Sequence, residues 1–196
     1  MPINPLNYKI SELNQLRPKK GTILLAEPFM KDPYFQRSVV LMAENSRENT
    51  LGFILNKSLE IPINEAIDDF PEFDAELFLG GPVQAQNLFY IHMKGHLLEE
   101  SERISEHLFW GGDFEVLKKL IIKGEILPNE IKFFLGYAGW DKGQLNQELK
   151  EGSWLIGTQK PAVILSNTGV SWKESMSSLG QKQAMMANFP TDPSHN

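Results

Sequence analysis

The chain has 196 residues, a formal net charge of −6 and no cysteine. Its length suits one sizeable core, and the missing thiols exclude a disulfide framework, a thiol nucleophile, iron–sulfur clusters and cysteine-ligated zinc. The acidic balance disfavours nucleic-acid binding over the whole surface.

Residues 1–20 read as a polar N-terminal extension ending in the basic cluster Arg17, Lys19 and Lys20. They hold no apolar stretch of the kind a secretory signal needs, and no apolar run in the chain reaches the ~20 residues of a membrane span. A cytoplasmic protein without a membrane partner is therefore expected. Residues 21–27 (GTILLAE), closed by Pro28, read as a buried strand. Residues 38–43 and 50–56 read as two more, joined by the polar turn 44–49 into an antiparallel hairpin. Pro62 opens a helix predicted over 62–70, with Ile63, Ala66, Ile67 and Phe70 at helical spacing.

Residues 76–79 and 88–93 read as strands flanking the tight turn Gly80-Gly81-Pro82, and 103–110 as a strand ending at Gly111-Gly112. Asp113 is the expected N-cap of a helix to about residue 123, with Gly124 at its C-terminal end. Residues 131–137 form a very apolar strand, 142–150 a short helix and 154–157 a further strand; 162–165 are apolar but too short to type. A last helix is predicted over 171–179, before a polar C-terminal tail, 181–196. Strands outnumber helices without regular alternation. That predicts a single α+β domain over 21–180 with a mixed, largely antiparallel sheet and loosely attached ends.

The chemistry is sparse. Seven acidic residues between Glu60 and Glu76, with no lysine or arginine among them, suit a solvated surface better than a calcium loop, whose ligand alternation is absent. His92 and His96 lack an HExxH context, and His107 and His195 lack any recognisable one, so no metal is expected. No G-x-S-x-G elbow, S-x-x-K or phosphate-binding loop occurs; Ser166 before Asn167-Thr168-Gly169 is explained by a turn. In residues 136–149, GYAGWDKGQLNQEL, Asp141 and Gln144 have capping-box spacing, and Gln144 and Glu148 share a helix face. Trp140 would cover the joint between strand and helix, with Trp154 as its candidate neighbour.

This segment, with Trp154 downstream, resembles the AlgH/YqgE family of bacterial proteins. The blocks Met30–Phe35 (MKDPYF), Gly52–Asn56 (GFILN), Gly80–Val83 (GGPV) and the strand ending at His92 occur in the same order, so the resemblance covers about residues 21–179. It implies a forked sheet curled into a pseudo-barrel with flanking helices, no established biochemical activity and, for some members, a transcriptional-regulator label. The family's motif positions fall on Asp32, Pro33, Asn56, Gly80, Gly81, His92, Gly136, Trp140, Gln144 and Glu148. Two departures matter. Asn56-Lys57-Ser58 stands where relatives often have Asn-Lys/Arg-Pro, and Ala43-Glu44-Asn45 where many have Cys-Glu-His. Chemistry needing that thiol or imidazole cannot operate here.

The expectation is a non-catalytic cytoplasmic binding or regulatory domain, without cofactor or metal, for a small molecule or protein partner. Its candidate binding residues are Asp32, Asn56, Gly80, Gly81, His92, Trp140, Gln144 and Glu148, and its site would be a cleft near Asn56, His92, Gln144 and Glu148 if folding brings these four together. The alternative is a hydrolase-like enzyme with His92 or Glu148 as general base. Direct DNA binding is disfavoured, since there is neither a helix-turn-helix signature nor a basic stripe.

Overall fold

The structure is a computed structural model describing residues 9–191, in which ten strands build one mixed sheet flanked by helices. Strand β10 (Trp154–Gly157) lies beside β1 (Ile23–Ala26), then β2 (Val39–Asn45) and β3 (Thr50–Ile54), all antiparallel. The order continues through β9 (Ile131–Trp140), β6 (Val83–His92), β8 (Phe109–Gly111) and β7 (Ser101–Arg103), again antiparallel. A branch made of β4 (Ser58–Pro62) and β5 (Glu76–Leu79) joins through β5, which runs parallel to β9.

The ten-residue strand β9 makes the fork because one of its edges is shared. Phe133–Leu135 pair with β5, whereas Ala138–Trp140 pair with β3. Gly136 sits at the division with a φ of 69°, and the Ile54 N–H bonds the Gly80 carbonyl at 2.9 Å across the seam. Backbones approach closely there. A Cβ on Gly80 would lie 2.1 Å from the Gly136 carbonyl oxygen, and one on Gly81 2.2 Å from the Tyr137 carbonyl carbon. Glycine is required at the fork by contact as much as by conformation.

Both faces of the central strands are covered, which is why they read as unbroken apolar runs rather than alternating ones. From β2, Val39, Leu41 and Ala43 enter a main cluster with Trp172 and Met176 of α6 (Trp172–Ser178). Val40 and Met42 point the other way, toward Trp140, Trp154 and Leu145 of α4 (Gln144–Glu151). A third cluster lies under α2 (Ile63–Ala66) and α3 (Phe114–Ile122). Asp113 caps α3 by accepting from the Glu115 and Val116 N–H groups, and its buried Leu117, Leu120 and Ile121 each contribute roughly 1.5–3 kcal/mol.

Several elements depart from the sequence reading. The helix expected over 62–70 is the single turn α2: Ile67 is extended and Asp69 has a φ of 57°. The strand expected over 103–110 is two, β7 and β8, because the chain turns where Ile104 and Ser105 both donate to the Leu108 carbonyl. β6 starts at Val83, five residues early, as an exposed polar ribbon with a register shift before Leu88. β4 carries no apolar run, its burial being slight, and of residues 162–165 the first three belong to the short helix α5 (Pro161–Ile164), with Leu165 as its C-cap.

The ends carry contacts. After α1 (Ile10–Leu13), the Asn14 carboxamide donates to the Trp154 carbonyl and accepts from the Ile156 N–H, pairing with the open edge of β10 as a strand would. Helix α7 (Gln181–Met186) places Met186 and Ala187 in the main cluster, and Phe189 stacks on Phe29 at 5.8 Å. Residues 1–8 and 192–196, with His195, lie outside the described residues. Among the described residues, no helix is long and apolar enough to cross a membrane.

Candidate functional site

Strand β9 ends at Trp140, and a left-handed Gly143 turns the chain into α4. The expected side-chain cap from Asp141 does not form, because Gly143 rather than Asp141 occupies the N-cap position. The returning half of the capping box does form: Gln144 Oε1 accepts from the Asp141 N–H at 2.9 Å. One turn on, Glu148 accepts three hydrogen bonds. Trp140 Nε1 and Trp154 Nε1 donate to its Oε2 at 2.9 and 2.7 Å, and Gln144 Nε2 donates to its Oε1 at 2.8 Å. The two indoles meet edge to face, centroids 6.1 Å apart. One carboxylate thus joins β9, α4 and β10, and most of its lone-pair capacity is committed.

His92, the last residue of β6, is fully buried and pairs with Ile131 at the start of β9, the end of that strand remote from Trp140. Its Nδ1 accepts from the Lys94 N–H at 3.1 Å, so the ring proton belongs on Nε2, which donates to the Gly111 carbonyl at 3.0 Å. Ser101 Oγ lies 3.2 Å from the same Nε2, but a nitrogen that carries a proton cannot take one from the hydroxyl. Ser101 instead donates to the Leu98 carbonyl at 2.6 Å. Burial pushes the His92 pKa down to about 4, only partly opposed by the hydrogen bond to Gly111. Nearby, burial and the charge of Asp113 push the Tyr90 phenol up to about 12. This is a neutral, satisfied cluster.

Asn56 ties the start of β2 to the end of β3. Its Oδ1 accepts from the Val39 N–H at 2.9 Å, and its Nδ2 donates to the Arg37 carbonyl at 2.8 Å. Asn56→Ala should cost about 1–2 kcal/mol, the worth of two buried backbone partners, measured by urea denaturation. An unchanged midpoint would show that solvent replaces both bonds. Asp32 caps its own turn, accepting from the Tyr34 and Phe35 N–H groups, and its charge also acts on Lys57. Lys57 in turn donates to the Pro33 carbonyl at 2.8 Å. Burial lowers the Lys57 pKa and Asp32 opposes that effect.

The expected cleft therefore does not assemble. Trp140, Gln144 and Glu148 meet at one end of β9, His92 is enclosed at the other, Asp32 and Asn56 order the loops around β2 and β3, and Gly80 and Gly81 build the fork. What lies open beside Trp140 is a groove of about 540 Å³ between the β2–β3 turn and the β9–α4 corner. Arg47, Glu48 and Asn49 line one side; Trp140, Lys142 and Asn146 line the other. Among the described residues no cluster of three or more His, Asp or Glu could hold a metal ion. Sequence reasoning passed over this turn because polar hairpin turns are ordinary. It also passed over Lys132, whose signal was present: a lone charge in the run IKFFLGY.

Comparison with known proteins gives consistent matches. The AlgH-like family profile matches residues 23–184. A UPF0301 protein of Parabacteroides distasonis is 41% identical over 189 residues, covering 95% of each chain. One from Chlorobium luteolum is 41% identical over 177 residues, covering 90% of this chain and 94% of its own. The solution structure of the AlgH protein from Pseudomonas aeruginosa superposes with a TM-score of 0.68 at 26% identity, covering 90% of this chain and 98% of that one. A crystal structure of a Corynebacterium diphtheriae protein superposes with a TM-score of 0.76 at 24% identity, covering 96% and 100%, and shows the shared fold.

Proposed function

The chain belongs to the AlgH-like family, and from that premise we propose that it is a non-catalytic cytoplasmic binding or regulatory domain whose small-molecule ligand or protein partner seats in the groove beside Trp140. The observation that carries this reading is the commitment of both candidate bases. His92 is buried with both ring nitrogens bonded, and Glu148 is occupied by Trp140, Trp154 and Gln144. A hydrolase built on either residue would have to break these bonds to use its base, and the two cannot act as a pair from opposite ends of β9. The groove, by contrast, offers an aromatic wall at Trp140 and exposed charges of both signs at Arg47, Glu48, Asp141 and Lys142. Such a surface suits a polar ligand or a short charged segment of a partner. Any part in transcriptional regulation would then run through that ligand or partner, consistent with the net charge of −6.

A metabolite library screened by thermal unfolding tests the reading. A ligand at 100 times its Kd should stabilise the protein by about 2.7 kcal/mol. The double variant Arg47→Ala/Lys142→Ala should abolish that shift while its own melting temperature stays near the parent's, since both side chains are exposed. A ligand that stabilises parent and variant alike would move the site elsewhere and overturn the assignment of the groove.

A further inference from the structure

Lys132 stands near the start of β9, at the end of that strand remote from the groove, and is only 2% exposed. Its Nζ donates to the Ser166 carbonyl at 2.8 Å and lies 3.7 Å from the centroid of the Phe78 ring. Among the described residues no carboxylate makes ion-pair contact with it. Glu76, whose charge acts on it from farther away, accepts from Ser58 Oγ at 2.7 Å. A buried ammonium without a contact ion costs free energy that a neutral side chain of similar length would not.

The surroundings give this amine a use. Phe78 also lines a pocket of about 350 Å³, together with Asn56, Ser58, Thr168, Ser171 and Glu174. The turn that follows Ser166 forms the rim of this pocket, so the amine's hydrogen-bond acceptor and the pocket wall belong to one short segment. Few side chains tie that turn down: Asn167 reaches the Asp74 carbonyl at 3.4 Å, and Ser166 and Thr168 bond each other. The lining is rich in hydroxyl and amide groups, which match a hydroxylated ligand.

We propose that Lys132 is a carbonyl-reactive amine that captures a small hydroxyaldehyde or hydroxyketone in this pocket as an imine, the 166–169 turn lifting to admit it. The Nζ lone pair attacks the carbonyl carbon as the C=O π pair moves to oxygen. One Nζ proton passes to that oxygen to give the carbinolamine. The hydroxyl then leaves with the second Nζ proton as water, and the C=N bond forms. No oxidant or reductant is needed. Burial holds the Nζ pKa down to about 7, against the pull of Glu76. The neutral share at pH 7 then exceeds that of an ordinary lysine, with a pKa near 10.4, by on the order of 10³.

The site is separate from the groove beside Trp140, so either assignment can fail alone. The native protein is treated with glycolaldehyde and cyanoborohydride at pH 7, then digested and mapped by mass spectrometry over time. Lys132 should acquire the reduced adduct at least about tenfold faster than exposed lysines such as Lys142, its neutral fraction outweighing its restricted access. Lys132→Arg should lose that adduct and keep the surface labelling, with circular dichroism confirming its fold. A structural buried lysine would be the last to react. Labelling of Lys132 no faster than that of Lys142 overturns the proposal, and the parent protein alone decides this if the variant does not fold.

Discussion

Glu148→Ala should destabilise the protein by about 3–4 kcal/mol, read as a fall in urea midpoint at constant slope. The reason is the pair of indoles that the carboxylate serves. Trp154 is 2% exposed and Trp140 7%, and truncation leaves both N–H groups in an apolar cluster without their acceptor. Each orphaned donor costs roughly 1–3 kcal/mol. Glu148→Gln should cost less, about 1–2 kcal/mol, because an amide oxygen still has two lone pairs for two indoles but lacks the charge that strengthens both bonds. The ordering parent, glutamine, alanine is the test. If the two variants were equally stable, the indoles would be finding other acceptors and the carboxylate would not be the joint described. A general base would behave differently, losing turnover in the glutamine variant without the graded loss of stability.

Acidification should remove about 3 kcal/mol of stability through His92 alone. The folded-state pKa is depressed to about 4 from the ordinary 6.5, a difference of about 2.5 units at 1.36 kcal/mol each. Over this interval the unfolded chain binds a proton that the folded protein refuses. The contribution is therefore complete above pH 6.5 and is lost as the pH falls from 6.5 to 4. Glu27, whose pKa is raised by burial, acts with the opposite sign, and Glu130, whose pKa is lowered, with the same one. Comparison with His92→Gln isolates the imidazole: the variant should be less stable at pH 7 and lose less on acidification. Parallel pH profiles for the two proteins would show that His92 is not held neutral by the fold.

Much of the local structure was legible because it depends on neighbours in sequence. β1, β3, β5 and β10 are short apolar runs with both faces buried, so composition marked them without alternation. Asp113 caps α3 as its position predicts, and Gln144 meets Glu148 because residues four apart share a helix face. The errors fell where locality failed. Asp141 and Gln144 had capping-box spacing, but Gly143 begins the helix, so only the glutamine half could form. The first half of β6 is polar and lies on an exposed ribbon, so apolarity marks only the strand's buried second half.

The candidate site divides along the same line. By itself the sequence determined the residue chemistry, the absence of a thiol, the i, i+4 placing of Gln144 and Glu148 and, through ordered motif blocks, the family. Only the tertiary structure decided that His92 and Glu148 occupy opposite ends of β9, that Gly80, Gly81 and Gly136 are a crossing of backbones, and that Lys132 is buried between Ser166 and Phe78. Periodicity and capping report contacts within a few residues. Which strand shares an edge with which, and hence which polar side chains converge, is decided by pairings between distant segments such as β3 and β5 along β9, and no local pattern encodes them.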